Sequence, residues 1–247
     1  MTRSAPVQTR GIELEGGSKP PEVYPRYERK LSMIQRYTKL LTSPREAMTD
    51  IGLAPDYGGV IVLFVFWTIF GIIGVWVMLS KMQFTGTYGE FVTSGVVAGA
   101  TIGLVLFPVI MIVRWLVKSY LIRHACESEN WDFETAASVT GYAYLPNVIF
   151  SFVWFFILYT LVPSVVVNTT NLEAALLQLQ MYDAQISWLT VGVSLVGTVL
   201  VLLWKSYLGG LGAHAGTRER CDENNGIIMF IVIGFIGIVI DFLGMVL

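Results

Sequence analysis

Long uncharged apolar runs alternate along the chain with short polar segments that collect nearly all of its charge. Five runs reach the roughly 20 residues that a helix needs to cross the hydrocarbon core of a bilayer. They cover about 57–79, 91–116, 139–163, 187–208 and 226–247, and open YGGVIVLFVFW, FVTSGVVAGA, VTGYAYLPNVIF, SWLTVGVSLVG and GIIMFIVIGF. Val, Ile and Phe also suit strands, but runs this long are helical, and backbone groups in lipid must pair within their own segment. The pattern predicts an all-α fold: a polytopic integral membrane protein built as a five-helix transmembrane bundle over residues 57–247.

Composition narrows the class. The 247 residues are 54% hydrophobic and 14% charged, against roughly 25% charged in a soluble domain. That excludes a secreted disulfide scaffold, a nucleic-acid-binding domain and a cytosolic enzyme. The net charge of −2 is less telling than its distribution. Nine Lys and Arg precede residue 57, Arg114, Lys118 and Arg123 follow the second run, and Lys205, Arg218 and Arg220 follow the fourth. The two opposite loops hold only Lys81. The positive-inside rule then predicts a cytoplasmic N-terminus and a C-terminus, Leu247, outside. Cys126 and Cys221 are accordingly expected as free thiols in a reducing compartment. Nothing ahead of Tyr57 is apolar enough for a signal peptide, so the first span is expected to direct insertion.

Residues 1–26 read as a disordered tail, and residues 27–56 as cytoplasmic amphipathic, basic helices. Leu31, Ile34, Tyr37 and Leu41 form a stripe at helical spacing, while Arg29, Lys30, Arg36 and Lys39 lie mostly off it. Such a surface suits anionic lipid or the cytoplasmic loops. Ser43-Pro44-Arg45-Glu46 is a capping box, predicting a helix from Pro44 to about Ile51 that stops at Gly52. On the other side, Thr170-Asn171-Leu172-Glu173 is a second box, ahead of an amphipathic helix carrying Leu172, Ala175, Leu176, Leu179 and Tyr182. Asn168-Thr169-Thr170 makes Asn168 a candidate glycosylation acceptor.

Lys118-Ser119-Tyr120-Leu121 recurs as Lys205-Ser206-Tyr207-Leu208, and His124-Ala125 as His214-Ala215. Cys126-Glu127 is echoed by Cys221-Asp222, so spans two–three and four–five read as parallel copies of one hairpin. His124, Cys126, His214 and Cys221 together make a Cys2His2 inventory of the kind zinc takes. Their spacings, His-x-Cys and His-x6-Cys, are not the usual close ligand pairs, so no metal or cofactor is expected.

Within the spans, Arg114 and Lys205 sit near cytoplasmic ends where they can snorkel, and Asp241 lies near the outer surface. So few ionisable groups argue against ion-coupled transport. Gly95, Gly99 and Gly103 form a GxxxGxxxG face for close helix packing, expected against the chain's own helices or, failing that, a second copy. Pro146 leaves the carbonyl of Tyr142 without its donor, so span three should kink, with Asn147 available to satisfy a freed group. Pro108 should act likewise in span two. No nucleotide loop, HExxH, G-x-S-x-G or paired carboxylates mark an enzyme.

Gly141-Tyr142 followed by Leu145-Pro146, at the start of the third of five spans, resembles the Yip domain of Ypt/Rab-interacting proteins. The resemblance takes in the basic N-terminus, the SPREAM segment and GLGAHAGTRERCDEN, covers about residues 40–247, and looks closest to the prokaryotic branch. It implies a non-enzymatic five-span membrane protein with a cytoplasmic N-terminus. Eukaryotic relatives bind prenylated Rab-type GTPases and one another, and act in vesicle traffic and Golgi organisation. Those relatives carry Asp-Leu-Tyr-Gly-Pro before span one. Here Asp56-Tyr57-Gly58-Gly59 lacks the leucine and the proline, which argues against a small-GTPase partner. The function expected is a scaffold or adaptor that recruits membrane lipids, other membrane proteins or a second copy at the cytoplasmic face. The membrane is the plasma membrane in a prokaryote, the Golgi or ER in a eukaryote. The alternatives are a permease or channel for a neutral or lipid-like solute and, remotely, a metal-dependent membrane enzyme using the His/Cys set.

Overall fold

The apolar runs are helical over more of the chain than their composition alone marks out. The computed structural model describes residues 27–126, 128 and 131–246, so the tail expected over 1–26 lies outside the described residues. The elements are α1 (Met33–Thr42), α2 (Pro44–Leu53), α3 (Gly58–Ser80), β1 (Met82–Thr85), α4 (Gly89–Ala125), α5 (Phe133–Tyr142), α6 (Leu145–Leu161), β2 (Val165–Asn168), α7 (Leu172–Gly216) and α8 (Glu223–Val246). Five passes are long and apolar enough to cross a membrane: α3, α4, α5 with α6, α7 and α8.

Two passes outrun their predicted ends. WLVKSYLIRHA contains no Gly or Pro, so α4 continues to Ala125. Nothing between Leu172 and Val191 breaks a helix either, so the expected outer amphipathic helix and span four are one helix of 45 residues, about 68 Å long at 1.5 Å per residue. The third pass does the reverse. The expected kink is a full break at Ala143–Tyr144, and Pro146 stands in the first turn of α6, where its missing N–H removes no helical bond. The Tyr144 N–H donates to the Gly141 carbonyl (3.0 Å) and the Asn147 N–H to that of Tyr144 (2.9 Å), closing the turn. Pro108 stays inside α4.

The caps also differ from expectation. Ser43 makes no side-chain cap, although Pro44 does open α2, and Glu46 pairs with Lys39 instead. The capping box is at α1: Ser32 Oγ accepts from the Gln35 N–H and Gln35 Oε1 from the Ser32 N–H (2.8 Å). At α7 the cap is Asn171, not Thr170, its Oδ1 accepting from the Glu173 (3.0 Å) and Ala174 (3.3 Å) amides. Sequence reasoning also missed a small parallel sheet. β1 and β2 pair from Met82↔Val165 to Thr85↔Asn168 at the far end of the molecule from α1 and α2.

Large apolar side chains stay exposed along the passes, among them Phe66, Trp76, Val105, Leu195 and Ile240. The core gathers at the α1–α2 end, where Leu40, Met48 and Ile51 meet Val60, Trp115, Val139, Tyr142 and Leu208. Lipid gives little drive for apolar burial between helices, which fits this distribution. The expected glycine face does not pack within the chain. A Cβ added at Gly95, Gly99 or Gly103 meets no atom within 4 Å, because α4 buries residues only at Gly89 and from Met111 onward. The small residues that bring helices together are instead in α7. Gly209 and Gly210 lie against Phe230 and Ile227 of α8, and Gly212 against Met48 of α2 and Val139 of α5. Gly52, expected to end α2, stays helical, and a Cβ there would meet the backbone of Gly216 (2.8 Å) and Gly212 (2.9 Å), so the glycine lets α2 approach α7 closely.

Candidate functional site: a buried arginine junction and a cationic cavity

Helix α1 turns a different face inward from the one its apolar stripe predicts. Leu31 and Leu40 are buried, but so is Arg36, at 0% exposure, while Ile34 and Leu41 remain exposed. Arg36 Nε donates to Asp50 Oδ2 (2.8 Å), and Nη2 to the carbonyls of Asp50 (3.2 Å) and Ala54 (2.7 Å). Its Nη1 pairs with Asp56. A buried charge persists when it is paired and hydrogen-bonded on every side, and this guanidinium is.

Asp56 passes the connection into the bundle. Its Oδ2 accepts from the Tyr142 hydroxyl (3.1 Å) and its Oδ1 from the Gly59 N–H (2.9 Å). Its own N–H donates to Ser138 Oγ (3.2 Å), and the Tyr37 hydroxyl donates to the Gly59 carbonyl (2.6 Å). Burial, reinforced by the nearby Tyr142 and Asp56, pushes the Tyr37 phenol well above its ordinary value. The glycines of the motif are contact points: a Cβ at Gly141 would overlap Val60, and one at Gly59 would overlap the Tyr142 hydroxyl. Gly141, Tyr142 and Pro146 thus set the approach of α5 to α3, the tie to Asp56 and the start of α6. The junction joins α1, α2, the loop before α3 and α5, and from ahead of α1 the Lys30 N–H donates to Asp50 Oδ1 (3.0 Å) while Arg29 lies 3.7 Å from Asp56.

Beside the junction a cavity of about 300 Å³ opens among α3, α4, α6, α7 and α8. Arg114, Lys118, Lys205 and Tyr144 line one part of it, and Phe107, Ile110 and Val201 another. Lys205, expected to snorkel outward, is buried, with Nζ 3.1 Å from the centroid of the Tyr144 ring. Lys118 Nζ lies 5.9 Å from the same ring. The ring face attracts cations, so the internal repeat has brought its two lysines to one aromatic. Asn147, expected to satisfy a carbonyl freed by Pro146, leaves its buried Oδ1 without a hydrogen-bond partner. In the sequence the repeat points to its histidines and cysteines as chemistry, whereas in the fold its lysines are the residues that meet.

Those four residues are placed differently from expectation. Cys126 and Cys221 form a disulfide, with Cα atoms 5.8 Å apart, rather than standing as free thiols, because the fold sets the end of α4 against the start of α8. Sulfurs bonded to each other are not thiolate ligands. His214 Nδ1 lies 3.0 Å from the Cys221 carbonyl oxygen, and His124 sits edge-on to Tyr120. Among the described residues no three His, Cys, Asp or Glu gather as a metal site. Asn168 stands in β2, its Oδ1 accepting from the Thr170 N–H (3.0 Å). The side chain of Asp241 lies outside the described residues.

Compared with known protein families, residues 38–244 match the Yip1 domain. No curated protein and no solved structure matches the chain.

Proposed function

The chain belongs to the Yip1 domain family, and from that premise we propose that it is a non-enzymatic membrane scaffold, gathering partners on the surface built by α1 and α2. The observation that carries this reading is the Arg36 junction. It locks the α1–α2 hairpin to the bundle, yet leaves Ile34 72% and Leu41 53% exposed on the hairpin's outer side. A surface held rigid before binding loses little further freedom when a partner docks. The surface faces the cytoplasm, as the positive-inside bias supports. The partner is another membrane protein or a second copy, with membrane lipid beside it. Asp56, in the segment that corresponds to the GTPase-associated motif of eukaryotic relatives, is engaged by Arg36 and Tyr142, which supports a role without a small GTPase.

The test is photo-crosslinking in native membranes from position 38, exposed one turn beyond Ile34 on α1, in the parent and then with Ile34→Asp and Leu41→Asp. The double variant should lose the crosslinked partners while keeping the thermal midpoint of the parent. Undiminished recovery of the same partners sinks the reading. The break between α5 and α6 supports a second reading, a permease for a neutral or lipid-like solute, since interrupted helices line transport sites. Flux into liposomes that Pro146→Ala alters would favour it over the scaffold.

A further inference from the structure

We propose that the cavity walled by Arg114, Lys118 and Lys205 binds the phosphate group of an anionic phospholipid. Three cations from two helices meet at one cavity. Arg114 and Lys118 are one turn apart on α4, and Lys205 comes from α7 to the same Tyr144 ring that Lys118 approaches. A guanidinium carries five N–H donors and each ammonium three, so the three side chains present a dense set of donors at this wall. Phosphate oxygens accept from both kinds of group, and the planar guanidinium offers two parallel bonds.

The depth of the site selects a lipid over a free ion. The apolar runs of spans two and four end near residues 116 and 208, so the cations stand where hydrocarbon gives way to headgroups. Toward mid-membrane the wall changes character. Ile110 and Phe107 lie one and two turns before Arg114, and Val201 lies one turn before Lys205. Ile110 also belongs to the exposed outer surface of α4, so the cavity continues into the surface presented to lipid. Cationic above and apolar below, the lining matches a molecule with a phosphate head and acyl chains. Basic pockets between transmembrane helices on the cytoplasmic side commonly hold such headgroups.

The full chain in detergent, followed by native mass spectrometry, tests this with three probes: phosphatidylglycerol, phosphatidylcholine and inorganic phosphate. Phosphatidylglycerol should be retained in preference to phosphatidylcholine, and equimolar inorganic phosphate should not displace it. Lys118→Met with Lys205→Met should weaken phosphatidylglycerol binding by about thirtyfold, and Arg114→Gln alone by about fivefold, with phosphatidylcholine binding unchanged. Arg114 is half-buried, so its variant keeps the test alive should the double variant not fold, with monodispersity as the check. Equal retention of the two lipids, or variants that bind phosphatidylglycerol like the parent, overturns the proposal. Displacement by inorganic phosphate overturns the lipid as the source of the phosphate.

Discussion

Arg36 is the residue on which the α1–α2 end depends. Removing one partner of a buried charge network leaves the others uncompensated, so Arg36→Ala should cost about 3–5 kcal/mol, read as a lowered midpoint of unfolding in detergent. Tyr37 gives a pH signature. Its phenol is raised in the fold above the 10.0 of an unfolded tyrosine, so the native state keeps a proton that the unfolded chain releases. Stability from this group is therefore intact below about pH 10 and falls as pH climbs above it. Tyr37→Phe should flatten that alkaline decline relative to the parent. Of this junction the sequence shows the participants but not their meeting. Arg36 lies off the apolar stripe and reads as solvated, and its acids stand 14 and 20 residues downstream, in a different helix and a different loop. Only packing shows that the chain turns Arg36 inward.

At the scale of elements, glycine position separates two kinds of contact. Gly141→Ala forces a methyl into Val60 and should cost about 1–3 kcal/mol, as overpacking does. Gly99→Ala meets nothing within the chain and should leave stability within about 0.5 kcal/mol, both measured as thermal midpoints in detergent. The GxxxG spacing was legible in α4, yet spacing alone does not tell whether a neighbour is there. Among the glycines that do meet neighbours, Gly209, Gly210, Gly212 and Gly216 lie in the loop-like string GGLGAHAG, which invites reading as a helix end. Helix existence was plain from apolar run length. Helix ends were less so, because runs stop where apolarity stops, whereas α4 continues past its apolar run to Ala125 and α7 runs through Gly209, Gly210 and Gly212 to Gly216. The pairing of β1 with β2 joins segments some 80 residues apart, which no local pattern announces.

At the scale of the whole molecule, five passes and the uneven placement of cations were readable because the bilayer imposes length and charge rules directly on sequence. The cavity was not, since it forms between helices distant along the chain. A cysteine introduced at position 34 should resist an impermeant maleimide in intact cells and react once the membrane is opened. Labelling without opening would invert the orientation proposed for α1 and α2.

The Cys126–Cys221 bond closes a ring spanning 95 residues that encloses α5, α6 and α7. A protease site inserted at Pro163–Ser164 therefore cuts the ring without releasing a piece while the sulfurs are joined. Lysates quenched with N-ethylmaleimide should therefore yield one band on a non-reducing gel after cleavage, parting into two when dithiothreitol is added. Two bands straight from quenched cells would place that tip of the molecule in a reducing space, so one gel reports both the neighbourhood of the two cysteines and the side of the membrane they occupy.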